Sequence, residues 1–277
     1  MVRAVIFLIL FLASVLTSLS GCQWSRTIKP LTPSQLLSSE RSQAGMAALE
    51  RKDYEEAEKR LGEAVRLNKK DIDHRRNYAE ALWKRDKHKE ALEQLDEAVK
   101  RGGNEDASLH VSLAEKNLFL NQLTTAFHHA DQAIRLNPND YKSWELRGRV
   151  GWRLALEQSD WKRERYVAAI EQAKSDYYRA LALSPDNRDI LPELATVQMH
   201  CGQPEHALAT WQKLQIGYQS GAEPIDLLRG KAEALVALQR FEEALSCLQE
   251  ARKQEPNQEE LDRRIMEVLA MTKIRVF

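Results

Sequence analysis

Few residues of this 277-residue chain sit at spacings that make or break bonds. There is no HExxH helix to activate water on zinc, no CxxC pair, no glycine-rich phosphate loop and no GxSxG elbow. His128 and His129 are sequence neighbours, so on a helix they point to different faces and share a metal poorly. His200, Cys201 and His206 are the other ligand types that lie close together. The acid pairs Glu55–Glu56 and Glu242–Glu243 open helices, where carboxylates favour the helix dipole without any catalytic role. The expectation is no enzyme activity, no metal and no cofactor.

The amino terminus invites a different chemistry. Arg3 is a short basic stretch, and Ala4 to Leu16 is an apolar run of thirteen residues interrupted only by Ser14. A membrane span needs about twenty residues, so this run fits a secretory signal peptide, 1–21. It ends in Leu19-Ser20-Gly21-Cys22, which resembles the lipobox of bacterial lipoproteins. The resemblance implies cleavage before Cys22 and acylation of that cysteine, with two or three acyl chains anchoring stably. Gln23 follows the cysteine, where an aspartate would imply inner-membrane retention. The implied location is a lipid anchor on a bacterial membrane, the outer one facing the periplasm. Residues 22–37, with two prolines and no helical period, read as the lipidated cysteine and a tether. Trp24 is either an interfacial anchor or a loop tryptophan. Only Cys201 and Cys247 remain, at positions expected to leave two unpaired thiols.

The elements that carry the remaining residues repeat. Ala57, Ala91, Ala126, Ala173, Ala207 and Ala244 follow one another at 34, 35, 47, 34 and 37 residues. Seven residues after each comes Ala64, Ala98, Ala133, Ala180 or Ala251, with Leu214 the exception. Twelve residues before comes Gly45, Ala79, Ala114, Ala195 or Ala232; in the fourth copy Gly148 precedes by 25. Helix axes about 8–10 Å apart need small residues at the closest crossings. The seven-residue spacing puts two of them on one face, one for each neighbouring helix, and that stacking rule builds a solenoid.

The pattern resembles the tetratricopeptide repeat (TPR). The endings RLNPND (135–140), LSPDN (183–187) and QEPNQ (254–258) match its inter-repeat turns. The openings DYEEA (53–57), HKEAL (88–92) and FEEAL (241–245) match its second helices. Lys69 and Gly103 depart from the pattern where proline is expected. The resemblance implies an all-α, right-handed superhelical solenoid of about six helix pairs. The repeats span about 38–71, 72–106, 107–140, 141–187, 188–224 and 225–258. Leu261, Ile265, Val268 and Leu269 lie on one stripe, and 259–277 reads as a capping helix and tail. Repeat four carries thirteen extra residues, which predict two lengthened helices with Trp161 and Tyr166 near their turn and a helix start at Ser159–Asp160.

In this family the first helices line a concave groove for a peptide or protein partner. Carrying over that register places Arg76, Trp83 and Lys84 of repeat two, Phe119 of repeat three, and Arg149, Trp152 and Arg153 of repeat four in the groove. Aromatics beside arginines have the composition of a binding hot spot, and arginine forks onto carboxylates. The alternative reading packs the tryptophans within the stack. Charge excludes a general pull toward nucleic acid. After removal of 1–21 there are 40 basic and 41 acidic residues, a net charge of −1. The functional expectation is a lipid-anchored adaptor that docks a protein in secretion, pilus, barrel-assembly or cell-wall machinery. A self-associating structural lipoprotein (a homodimer or larger) and an accessory subunit of an envelope enzyme are the alternatives.

Overall fold

A computed structural model describes residues 32–157, 163–216 and 223–274. The signal peptide, Cys22, the tether up to residue 31, and Ser159, Asp160 and Trp161 lie outside the described residues, as does most of the 216–224 join. Within them the chain is all-helical, and no described helix is long and apolar enough to cross a membrane. The helices pair in sequence order. Helices α1 (Pro33–Glu50) and α2 (Tyr54–Leu67) form the first pair, α3 (Ile72–Lys84) and α4 (His88–Lys100) the second, and α5 (Ala107–Phe119) and α6 (Leu123–Leu136) the third. Then come α7 (Tyr141–Glu157) with α8 (Arg163–Leu183), α9 (Leu191–His200) with α10 (Pro204–Gln215), and α11 (Ile225–Ala237) with α12 (Phe241–Gln254). Helix α13 (Glu259–Ile274) closes the stack.

The spaced small residues form the seam of every pair. Ala57, Ala91, Ala126, Ala207 and Ala244 are fully buried, and so are Ala79, Ala114, Ala195 and Ala232 on the partner helices. Gly45 shows how close the helices come: a Cβ there would lie 2.5 Å from Cγ of Leu61. In the fourth pair a Cβ on Gly148 would lie 3.2 Å from the carbonyl oxygen of Ala173, the anchor of that pair. Leu261, Ile265 and Val268 of α13 are buried against the sixth pair, so the last helix covers apolar surface that the stack would leave open.

In the five pairs whose inner turn lies among the described residues, that turn is one device. Lys52, Asp86, Asn121, Gly202 and Gln239 all adopt left-handed backbone, with φ of 63°, 57°, 57°, 69° and 58°. Each lies five residues before its seam alanine. The next residue donates its amide back to the third-last helical carbonyl, as in Asp53 N to Ala48 O (2.9 Å) and Arg240 N to Leu235 O (2.8 Å). This six-to-one closure satisfies carbonyls that a helix end leaves unpaired. Four of the five positions pay for it without glycine.

One feature corrects the sequence reading, and the structure explains the departures at Lys69 and Gly103. Residues 33–37, taken as tether, are the first turns of α1. Thr32 and Gln35 form a reciprocal capping box and Pro33 occupies the first helical position, where proline is well tolerated. Pro33, one of the two prolines that suggested a tether, is therefore part of a helix start. At Lys69 the missing proline is replaced by a side chain: Arg75 donates to the Lys69 carbonyl from Nε (3.3 Å) and Nη2 (3.1 Å) and holds the turn. At Gly103 the backbone turns tightly, and a Cβ would lie 2.6 Å from Leu109 Cδ2. Glycine is needed there for close approach.

Repeat four departs in length. Helices α7 and α8 run 17 and 21 residues, against 13 and 14 in the third pair. Tyr166, near the start of α8, is half-buried with its hydroxyl 3.4 Å from Nδ1 of His200. A buried ion pair ties the two long helices together. Arg147 of α7 donates from Nε (2.9 Å) and Nη2 (2.8 Å) to Asp176 of α8, which is 1% exposed, and from Nη1 to Asp131 of α6 (2.8 Å).

Candidate functional site

First helices of successive pairs touch one another: α1 meets α3, α5 meets α7 and α9 meets α11. Lys116 of α5 bonds Glu80 of α3 and Arg149 of α7 bonds Glu193 of α9, so the first helices join into one inner wall. A cleft of about 380 Å³ opens in it between α5 and α7. Glu115, Leu118 and Phe119 line one side, and Lys142, Leu146, Arg149 and Arg153 face them with Glu145. Phe119 stands at the last position of α5 and is 68% exposed, the largest exposed fraction among the large apolar side chains described. Leu118 and Leu146 supply a buried apolar floor.

The structure divides the sequence-derived residues into three groups. Phe119, Arg149 and Arg153 come together in the cleft. Trp83 adjoins it from the second pair. Its ring is half-buried, 5.3 Å from Phe119 in an edge contact and 4.3 Å from His88, with the Lys116 ammonium 5.0 Å from its centroid. Trp152 packs inward instead. It contributes to the core of the fourth and fifth pairs and meets His200 at 4.4 Å. The third group is Arg76 and Lys84, on the wall at the second pair. Arg76 bonds Ser108 Oγ (2.8 Å) and Asp106 (3.3 Å) at the start of α5 and pairs with Asp73 on its own helix. Lys84 pairs with Glu80 at 3.5 Å.

Most wall cations are therefore already engaged. Arg149 donates to Glu145 (2.8 Å) and from Nε to Glu193 of α9 (3.0 Å), and the buried Tyr177 hydroxyl reaches the same Glu193 at 2.7 Å. Lys142 meets Glu115 at 2.6 Å, which raises the ammonium pKa. Lys116, buried, bonds Glu80 at 2.9 Å. Burial alone would push Glu80 up, but the Lys116 hydrogen bond and charge, with Lys84, bring its carboxyl below the ordinary value. Arg153 differs. It is exposed and its Nη2 donates to the neutral amide oxygen of Asn121 at 3.0 Å. Among the described residues no carboxylate pairs with it, so it is the wall cation freest to receive one.

Sequence reasoning missed the partners that use up this charge. Glu193, Tyr177, Lys116 and Ser108 had no motif to announce them, because each acts across a repeat boundary 16 to 44 residues away. It also missed His110, which meets His129 across the third pair. Cys201 and Cys247 are both free thiols. Burial raises the Cys201 thiol to about 11, so it is un-ionised at neutral pH.

Comparison with known proteins agrees with this architecture. Residues 48–115 match the tetratricopeptide repeat family. The U-box domain-containing protein 70 of Oryza sativa subsp. japonica is 26% identical over 184 residues, 66% of this chain. The match spans only 21% of the rice protein. Among solved structures, PilF of Pseudomonas aeruginosa superposes with a TM-score of 0.68 at 16% identity, covering 85% of this chain and 100% of that one. PilW, a widely conserved type IV pilus biogenesis factor, gives 0.66 at 19% identity over 82% and 98%. YrrB, a TPR protein with an unusual peptide-binding site, gives 0.60 at 16% identity over 75% and 97%. Such identities speak for fold alone. The matched segment and the recurrence of its seam and turn along the stack lead to one statement: residues 48–115 resemble the tetratricopeptide repeat family, and the chain has the helical-solenoid fold of the solved structures it superposes on.

Proposed function

We propose that this protein is a membrane-anchored, non-enzymatic adaptor of the bacterial cell envelope, lipidated on Cys22 and docking a protein partner against the inner wall of its solenoid. The observation that carries the reading is Phe119. A large aromatic ring left exposed beside an apolar-floored cleft, with Arg153 next to it meeting no carboxylate among the described residues, is the make-up of a binding hot spot rather than of a solvated face. The fold shared with PilF and PilW supports an envelope setting, since PilW is described as a pilus biogenesis factor. YrrB supports the use of such a stack to hold a peptide. The outer membrane, facing the periplasm, is the location that Gln23 after Cys22 favours.

Photo-cross-linking in cells tests the docking surface. A benzophenone side chain replaces Phe119, or Lys59 on the second-helix face as control. An adduct with another envelope protein at position 119 and none at position 59 supports the reading. Equal adducts at both positions move the contact off the inner wall, and adducts with the chain itself alone favour self-association. The anchor has its own test. Cys22→Ser is expected to leave an uncut precursor that takes up no palmitate, and normal labelling of that variant refutes the lipid anchor.

A further inference from the structure

His110 on α5 and His129 on α6 meet across the third helix pair, with ring centroids 5.3 Å apart and Nδ1 atoms 3.0 Å apart. That distance is a hydrogen bond, and a bond between two Nδ1 atoms needs one of them without a proton. Nε2 of His110 lies 3.3 Å from the carbonyl oxygen of Asn104, which only accepts. The His110 proton therefore sits on Nε2, and His129 donates from Nδ1 into the His110 lone pair. The second pair carries a bridge at the same register: Arg75 Nη1 donates to Gln94 Oε1 at 2.8 Å. Arg75 and His110 stand four residues before Ala79 and Ala114, and Gln94 and His129 stand three residues after Ala91 and Ala126. A guanidinium and an amide do not titrate near neutral pH; two imidazoles do.

We propose that the His110–His129 bridge is an acid-sensitive latch between α5 and α6, closed while His110 Nδ1 carries no proton and opened when both rings are charged. A first proton enters the remaining lone pair, on His129 Nε2, and the bond survives with a charged donor. A second proton must take the His110 lone pair that accepts the bond, and two N–H groups then face each other. The ring of His128 contacts that of His129 at 5.6 Å, so three imidazoles stand in a row and gather like charge as pH falls.

The surroundings favour the uncharged bridge. His110 is buried and His129 half-buried. Burial is the main cause that lowers the His129 pKa from 6.5 to about 4, and the charges of His110 and His128 add to it. Burial also lowers His110, with His128 in the same direction and the Asn104 carbonyl and Asp106 against it. Asp106 is itself held by Arg76 of α3 and by Ser108. Two residues along α6, Asp131 is committed to Arg135 and to Arg147 of α7, and on α4 Glu97 pairs with Arg101 at 2.7 Å. The unfolded chain therefore binds protons that the folded one refuses. For His129 the stabilisation is complete above 6.5 and is lost as pH falls through that value toward the folded one of about 4. This inference is independent of the adaptor reading, since neither histidine lines the cleft between α5 and α7.

The test compares the full chain with the double variant His110→Arg, His129→Gln, which grafts the bridge of the second pair onto the third, in denaturant and thermal unfolding between pH 7.5 and 5. His200, whose pKa burial also lowers, is present in both and cancels. Below about pH 6 the folding equilibrium constant of the parent is expected to fall about tenfold per pH unit more steeply than that of the variant, the effect of one proton taken up on unfolding. Parallel declines overturn the latch. If the double variant does not fold, nitrogen-15 NMR of the histidine rings of the parent decides. His110 is expected to carry its proton on Nε2 and His129 on Nδ1 at pH 7, with His129 still neutral at pH 5.5. Protons on Nε2 of both rings, or a charged His129 in the folded protein at pH 5.5, overturn it.

Discussion

Along the seam between paired helices, Ala57, Ala91, Ala126, Ala207 and Ala244 are fully buried and differ from one another only in their surroundings. Along the inner wall, Arg76, Lys116 and Arg149 each reach a carboxylate of a neighbouring repeat. The seam is a constraint on size, met identically in every pair. The wall is a set of individual pairings across repeat boundaries. A size constraint recurs at a fixed period and leaves a trace in sequence; a pairing between two particular repeats leaves none.

The sharpest way to break this contrast is at the place where polarity enters a pair interface. Asp176 is buried in the fourth pair and accepts from Arg147 at two nitrogens and from Gln172 at 2.9 Å. Asp176→Ala leaves the Arg147 guanidinium, which is 14% exposed, without its main partner. Such removals cost about 3–5 kcal/mol. Urea denaturation is expected to show that loss, and a loss below that of a seam substitution would mean that Asp131 compensates.

Next in size is the seam itself. Ala91→Leu adds three carbons where none fit and is expected to cost about 1–3 kcal/mol. An unchanged melting temperature would mean that the seam is looser than the geometry states.

Acid should loosen the wall before the seam. Burial pushes the Asp106 carboxyl up, but the Ser108 hydroxyl, the Leu109 amide and Arg76 together hold it below its ordinary value. Asp131 is lowered by Arg135 and Arg147 in the same way, and Glu80 by Lys116. For these groups the unfolded chain binds protons at higher pH than the folded one. Their stabilisation is complete above the ordinary carboxylate values of 3.8 and 4.5 and is lost as pH falls through the lower folded values. Melting measured against pH should therefore decline below that window, and less steeply in high salt for the exposed pairs. No decline would show that the pairs contribute nothing net.

A smaller effect of opposite sign is expected at the turns. Gln239 pays for left-handed backbone that glycine adopts freely. Gln239→Gly relieves a strain of about 1–2 kcal/mol but loosens the unfolded chain, leaving a net gain of about 0.5 kcal/mol. Destabilisation in thermal melts would mean that the side chain contributes more than its backbone costs. The smallest effect belongs to Lys84, whose exposed pair with Glu80 should be worth less than about 0.5 kcal/mol when Lys84→Ala removes it.

How much of the wall was legible follows from the same distinction. The family register brought Phe119, Arg149 and Arg153 into view, and they do share a cleft. It put Trp152 beside them, although that ring packs on His200. Position on a helix fixes the side a residue starts from. Whether a large ring then turns inward depends on the neighbouring repeat, here α9. The adjacency of His128 and His129 gave no hint of the ring that His129 bonds. His110 lies 19 residues from His129, on the facing helix.

The amino-acid sequence by itself determined the helix pairs, their order, the small-residue seam and the closing helix. All of these are set by contacts within about one repeat, where spacing along the chain translates directly into spacing in space. It also marked the departures at Lys69 and Gly103 without showing what replaces the proline. Only the tertiary structure decided that Arg75 holds one turn, that most wall cations meet carboxylates of neighbouring repeats, and that Phe119 stays exposed beside an Arg153 that no carboxylate among the described residues pairs. Those outcomes depend on the distance and rotation between successive pairs. Side chains that must find partners across that gap are chosen by geometry in three dimensions, and no fixed interval in the chain encodes it.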